Sequence, residues 1–174
     1  MLFLDETALM LQPLVRRTWA PIGERPVMYC WNRRERLSVI AGLSLSARRR
    51  RIGLYFAMHE KNITAEEVEQ FIRQVRRQLG RNLIVVMDRL AAHRKAARAL
   101  KGDEGFWIEW LPAYAPDLNP VEAVWGQTKY GDMANFVADD LLDLELEARV
   151  SLENTERNPT LLRSFFHAAR LKTR

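Results

Sequence analysis

The hydrophobic pattern changes period along the chain. Leu2-Phe3-Leu4 is apolar and runs into Asp5. Thr18 to Trp31 is rich in β-branched and aromatic residues, punctuated by Pro21, Gly23 and Pro26, and predicts two strands joined at a turn. Leu37 to Leu45 and Ile52 to Met58 are two more strand-like runs. The polar, basic turn Ser46-Ala47-Arg48-Arg49-Arg50-Arg51 lies between them, so antiparallel hairpins are expected. From Thr64 the period becomes helical. Thr64 and Glu67 form a capping box, Val68, Phe71, Ile72, Val75 and Leu79 recur on one face, and Gly80 stops the helix. Leu83 to Asp88 is the most continuous β-rich run and predicts a strand buried on both faces. Ala91 to Leu100 reads as a helix ended by Gly102, and Phe106 to Leu111 as a short strand. Asn119-Pro120 is an N-cap with proline at the first helical position, opening a helix with Val121, Val124 and Trp125. Past Val137 the chain reads as helical. Val137, Leu141, Leu144 and Ala148 form a stripe there, and Asn158-Pro159 starts a last helix with Leu161, Leu162, Phe165 and Phe166. The order predicts a mixed α/β sheet, antiparallel first and parallel βαβ afterwards, flanked by helices. Without repeats or a long linker, residues 1–174 form one domain.

Composition narrows the class. Hydrophobic residues at 48% and charged residues at 28% exclude a disordered or low-complexity chain. No apolar run has the length of a membrane span, and Met1 to Asp5 lacks the basic start of a secretory signal. The single cysteine, Cys30, excludes an internal disulfide and a cysteine-rich zinc site, and is expected at least half-buried in a strand. A cytoplasmic protein is expected. Net charge is +5, unevenly spread. Residues 1–110 carry 20 Lys/Arg against 12 Asp/Glu (+8), and residues 111–174 carry 7 against 10 (−3). A basic majority points to a polyanionic partner, most simply nucleic acid.

The candidate chemistry lies in three carboxylates. Asp5 and Asp88 each close an apolar strand, where a carboxylate is costly without compensation and a divalent cation is one compensator. If the two strands are neighbours, both acids emerge at one edge of the sheet. Glu122, near the third position of the helix opened by Asn119-Pro120, points back to that edge. Three converging carboxylates suit Mg²⁺ or Mn²⁺. Such sites hold two ions about 3.5–4 Å apart that clamp the attacking and leaving oxygens of a phosphoryl transfer. Glu6 faces the other side of the strand from Asp5. Plainer readings stand beside these: strand-end Asp residues form turns and caps, Glu122 suits a helix N-terminus, and the acids of 139–147 form a solvated helix face.

Longer stretches carry a resemblance. These are Phe3-Leu4-Asp5-Glu6-Thr7, Arg17-Thr18-Trp19-Ala20-Pro21-Ile22-Gly23 and Val86-Met87-Asp88 with His93 five positions on. The most specific is Tyr114-Ala115-Pro116-Asp117-Leu118-Asn119-Pro120-Val121-Glu122 with Trp125 and Lys129. Together they resemble the catalytic domain of DDE transposases, most closely the bacterial insertion-sequence-630 family, relatives of mariner-like elements. The resemblance implies a ribonuclease-H-like fold and Asp5, Asp88 and Glu122 as catalytic, metal-binding acids. It also implies two Mg²⁺ or Mn²⁺ ions and transposition of DNA from terminal repeats into TA-type targets. Relatives work as dimers, so a homodimer or a full-length transposase subunit is the expected protein partner. Two departures stand out. No helix-turn-helix region precedes the first strand, so the specificity module is expected to be missing. Arg89 also follows the second Asp where relatives often have Asn, which puts a cation beside the site.

Further residues divide between chemistry and packing. Arg48, Arg49, Arg50 and Arg51 are the best phosphate-binding candidates, with Arg89, His93 and Lys129 as further DNA contacts. His93 is equally a cap or surface histidine, and Lys129, about two turns beyond Glu122 on the same side of that helix, is more readily a solvated one. Asn119 and Pro120 support the site by aiming Glu122. Trp107, Trp110, Tyr114 and Trp125 suit base stacking, although core is the plainer reading for Trp110 and Trp125. Arg73, Arg76 and Arg77 form either a second basic stripe or a solvated face. Competing with an active transposase are a silent remnant that binds DNA non-specifically or pairs with a full-length transposase, and another ribonuclease-H-like nuclease.

Overall fold

The computed structural model describes residues 1–30 and 33–173. The strands are β1 (Leu2–Met10), β2 (Arg36–Leu45), β3 (Ile52–His59), β4 (Leu83–Met87) and β5 (Phe106–Trp110). The helices are α1 (Ala65–Leu79), α2 (Ala91–Ala99), α3 (Val121–Gly126), α4 (Leu141–Glu156) and α5 (Pro159–Ala168). The strands form one sheet in the order β3-β2-β1-β4-β5. β1–β2 and β2–β3 pair antiparallel, while β1–β4 and β4–β5 pair parallel. This is the expected mixed sheet. No helix among the described residues is long and apolar enough to cross a membrane.

Period-two alternation in β1 builds two cores. Leu2 and Leu4 face α1 and α2, packing with Val68, Phe71, Ile72, Val75 and Ala96. Phe3 and Leu9 face the other helical layer with Val121, Val124, Trp125, Leu152 and Phe166. Phe3 meets Phe166 edge-on, ring centroids 5.8 Å apart at 76°. α1 lies tight against the sheet at Gly42, where an added Cβ would come within 2.7 Å of Leu2 and 3.3 Å of Phe71. The capping box of α1 forms as expected, with Thr64 N–H donating to Glu67 at 2.7 Å, and Gly80 ends the helix in the left-handed region at φ 60°.

Four expectations need correction. Residues 18–30 contain no strand, and Trp31 lies outside the described residues. Both neighbours of β1 are already taken by β2 and β4, and Pro21 and Pro26 lack the N–H groups a ladder needs. The segment instead turns at Pro21–Glu24, with Glu24 N–H donating to the Pro21 carbonyl at 3.0 Å, and it leaves Trp19 and Ile22 fully exposed. Cys30 falls in this irregular segment and is exposed. β4 is not buried on both faces, because Ile84 is 41% exposed. α3, α4 and α5 pack over β1, β2 and β3 and leave that side of β4 open. Lastly, Val137 precedes α4, which starts after the N-cap Asp140, so the buried stripe is Leu144, Ala148, Ser151, Leu152 and Thr155.

Candidate active site

Asp5 does not end its strand. β1 continues five residues to Met10, so the carboxylate projects from the middle of the sheet toward α3. Two contacts bring α3 to it. Asn119, 5% exposed, donates from Nδ2 to the Leu4 carbonyl at 3.1 Å. Its Oδ1 accepts the N–H of Val121 at 3.2 Å. The helix begins one residue later than expected, at Val121 with Pro120 in the N-cap position, and the Asn119 side chain holds the Val121 N–H and ties the helix start to the residue before Asp5. Pro120 is buried, with φ −64° suited to the helix entry. From the first turn of α3, Glu122 faces Asp5. Trp125, one turn on, is 5% exposed and donates its indole N–H to Asp5 Oδ2 at 2.9 Å.

The electrostatics follow from this geometry. Burial pushes the Asp5 carboxyl up to about 7, the Glu122 carboxylate adds to the rise, and the Trp125 hydrogen bond opposes it. After Gly126 the helix widens into a π-helical turn, Gln127–Asp132, which carries Lys129. Burial lowers the Lys129 pKa, and Glu122 and Asp5 hold it up. Lys129 therefore looks toward the acid pair as well as toward solvent, on the side of Glu122 that its two-turn spacing predicts.

Asp88 lies just past β4. The parallel register pairs Leu2 with Val85 and Phe3 with Val86, so β4 ends alongside β1. Its Oδ1 accepts from Leu90 N–H at 2.9 Å and meets His93 Nδ1 at 2.5 Å. His93 Nε2 lies 3.0 Å from Glu6 Oε2, an ion-pair distance without hydrogen-bond alignment. Burial pushes the imidazole pKa down, but Glu6 and Asp88 push it up by more, so it stands above its ordinary value. The expectation that His93 contacts DNA is corrected here. The side chain is completely buried and enclosed by two carboxylates, so no face of it reaches a phosphate. Glu6 faces away from Asp5, as expected, yet it belongs to the surroundings of Asp88. Only the alternation of β1 hinted at that.

With Asp88 drawn toward His93, no three His, Cys, Asp or Glu side chains among the described residues cluster as a ready metal cage. The donor set still suits a hard divalent cation. The partly buried Asp5 and the exposed Glu122 face each other with one indole N–H and one ammonium as nearby compensation, and burial together with the Glu122 charge raises the Asp5 pKa to about 7.

The remaining candidates lie apart. Arg89 is exposed beside Asp88. Arg48–Arg51 sit in the β2–β3 turn, at the end of the antiparallel strands where β1 begins. Asp5 pairs with Ala41, and five further residues at ~3.4 Å each place the turn about 17 Å away. Arg49 there has φ 56° and reaches the Lys172 carbonyl at 3.4 Å. Arg49, Arg51 and Arg81 line a cavity of about 560 Å³. Arg73 and Arg76 are tied to Asp103 at 2.9 and 3.6 Å, which neutralises part of the expected second stripe. Trp125 is core yet bonds Asp5, Trp110 is partly buried, and Trp107 and Tyr114 are exposed.

A family model described as DDE superfamily endonuclease matches residues 1–140. No curated protein matches in sequence. Among solved structures, the Mos1 transposase paired-end complex with left transposon end is 12% identical with TM-score 0.68, covering 97% of this chain and 51% of that one. The Mos1 strand transfer complex is 14% identical with TM-score 0.66, covering 97% and 50%. The Mos1 mariner paired end complex with Mn is 12% identical with TM-score 0.68, covering 97% and 51%. The chain thus spans about half the length of these structures, and the shared fold is the ribonuclease-H-like one. By the match over residues 1–140, this chain belongs to the DDE superfamily endonucleases.

Proposed function

We propose that the chain is the catalytic domain of a DNA transposase of the insertion-sequence-630 type, cleaving phosphodiesters at element ends and transferring the freed strands into TA-type target DNA. The observation that carries this reading is the Asp5–Glu122 pair, pinned by Asn119 and Trp125, with Asp88 on the neighbouring strand. Asp5, Asp88 and Glu122 would hold the divalent cations, Mg²⁺ or Mn²⁺. When bound, these supply Lewis-acid activation of the attacking oxygen and charge stabilisation of the leaving one. The chain's own work is positioning. Trp125 fixes one oxygen of Asp5, Asn119 sets the distance between β1 and α3, and Lys129 supplies positive charge beside both acids. Arg89 and Lys129 contact DNA phosphate near the reacting bond. In the first step water adds to phosphorus and the 3′ oxygen leaves as a hydroxyl. In the second, that hydroxyl attacks target phosphorus and displaces another 3′ oxygen. Partners are double-stranded DNA and a second copy or a full-length transposase subunit, in a cytoplasmic, nucleoid-associated setting.

The test is nicking of supercoiled plasmid in Mn²⁺. Wild type is expected to nick, and Asp88→Asn to lose at least about 10²-fold while melting like wild type. Equal nicking by both would remove the assignment. A second reading, non-catalytic DNA binding by a remnant, draws on the separate arginine turn. It predicts salt-sensitive binding without nicking.

A further inference from the structure

His93 is the one histidine that is completely buried, and it does not sit among apolar side chains alone. It joins three parts of the chain. Nδ1 meets Asp88 from the end of β4, Nε2 faces Glu6 from β1, and the imidazole itself rides on the first turn of α2. Glu6 Oε1 is buried without a partner among the described residues. Such an arrangement is an odd choice for stability alone. Buried ion pairs roughly break even against apolar groups of similar volume, and an unpaired buried carboxylate oxygen costs free energy. What the arrangement does supply is direction. Asp88 is 55% exposed at the sheet edge and would otherwise sample several rotamers. Here one oxygen, Oδ1, is taken up by both His93 and the Leu90 N–H. The second oxygen is left for whatever binds at the edge.

We infer that Glu6 and His93 are positioning residues that hold Asp88 by one oxygen and present the other to the cation site. The arrangement follows the general logic of ligating groups steered by outer hydrogen bonds. The Glu6 side chain fixes the ring from behind, so that a residue facing away from Asp5 still governs the partner acid on the next strand. The inference rests on the transposase reading only in taking Asp88 as a ligand.

The side-chain amides separate the two sides of the ring. His93→Asn keeps a nitrogen near the place of Nδ1, toward Asp88, and gives up the reach to Glu6. His93→Gln keeps one near the place of Nε2, toward Glu6, and gives up Asp88. Glu6→Gln removes the outer charge at constant shape. The Leu90 amide reports the Asp88 carboxylate in metal-free protein by ¹⁵N–¹H spectra. Its resonance is expected to move in His93→Gln and to stay near wild type in His93→Asn, with the two variants melting within a few degrees of each other. Mn²⁺ titration should show affinity about 10- to 100-fold weaker in His93→Gln, within about threefold of wild type in His93→Asn, and intermediate in Glu6→Gln.

A Leu90 resonance that moves alike in both histidine variants overturns the proposal. So does Mn²⁺ affinity that follows melting temperature and ignores which side keeps its donor. If neither histidine variant folds, the isosteric Glu6→Gln decides, and an unmoved Leu90 resonance with unchanged Mn²⁺ affinity overturns it. A wild type that nicks no DNA but shows the Leu90 pattern defeats the transposase reading and leaves the positioning role standing. A nicking wild type whose variants behave alike defeats only the positioning role.

Discussion

Two regions of the sheet, an acid end where β4 stops alongside the middle of β1 and an arginine end at the β2–β3 turn, differ in charge and in the way their side chains are held. At the first the acids Asp5, Glu6, Asp88 and Glu122 come from β1, the β4–α2 junction and α3. Three of them are fixed by a side chain from elsewhere or fix one in turn: Trp125 for Asp5, and His93 for Asp88 and Glu6. At the other end, about 17 Å along β2, four consecutive arginines occupy a single turn. The Arg50 and Arg51 N–H groups donate to Ser46 Oγ within the turn, and the Arg49 guanidinium donates to the Lys172 carbonyl. The contrast follows from what each end has to do. Aligning oxygens for a displacement demands fixed directions, which only long-range contacts supply. Attracting a phosphate backbone demands only sign and density of charge, which a local run of residues provides.

The most drastic way to break the comparison acts on the acid end. Glu122→Gln should reduce plasmid nicking by at least about 10²-fold with DNA affinity retained, measured by nicking and by fluorescence anisotropy. If the variant nicks like wild type, the acid end has no special role. At the arginine end the effect should appear in binding. Replacing Arg48, Arg49, Arg50 and Arg51 with Ala should lower the slope of log affinity against log salt by up to about 3.6, while nicking at saturating DNA stays the same. An unchanged slope would remove this end from DNA contact.

A smaller effect sharpens how the acid end is built. Asn119→Ala leaves the Leu4 carbonyl and the Val121 N–H without their buried partner, at a cost of about 1–3 kcal/mol. It should also loosen Glu122 from Asp5, so denaturant melting and Mn²⁺ affinity fall together. A loss of stability with unaltered Mn²⁺ affinity would make Asn119 a helix cap and nothing more.

The smallest effect is a pH dependence of the metal-free chain. The Asp5 carboxyl titrates near 7 in the folded state against an ordinary 3.8, so between these values the folded chain holds a proton that the unfolded chain has released. Stability therefore falls as pH rises from 3.8 through 7 and stays low above. Asp5→Asn should remove this contribution and raise the melting temperature at pH 8 by a few degrees, at about 2–4 °C per kcal/mol. Equal melting curves at pH 5 and pH 8 for wild type would contradict the burial of that charge.

The arginine turn was legible because its parts are neighbours in the chain, and so were the α1 cap and its glycine stop. The three acids were legible as strand-end and helix-start residues, although Asp5 proved to lie in mid-strand. The surroundings of Asp88 were not legible. Glu6 and His93 are 87 positions apart (93 − 6), and no local pattern says that α2 brings the imidazole over β1. Residues 18–30 show the same limit from the other side. Their composition favours strand, but Pro21 and Pro26 lack the N–H groups of a ladder, and β1, the strand just before them in the chain, is already paired on both sides.

What the sequence determined by itself is therefore local: the alternation that gives β1 two faces, the caps that delimit α1, α3 and α5, the basic turn and the identity of the acids. The tertiary structure decided the rest. It chose which strands neighbour β1, placed Trp125 and Lys129 beside Asp5, and put a buried histidine between two carboxylates. The physical reason is range. Caps, turns and periodicity act over a few residues, whereas the orientation of a carboxylate and the burial that shifts its pKa depend on which distant side chains the packed core brings within a few ångströms.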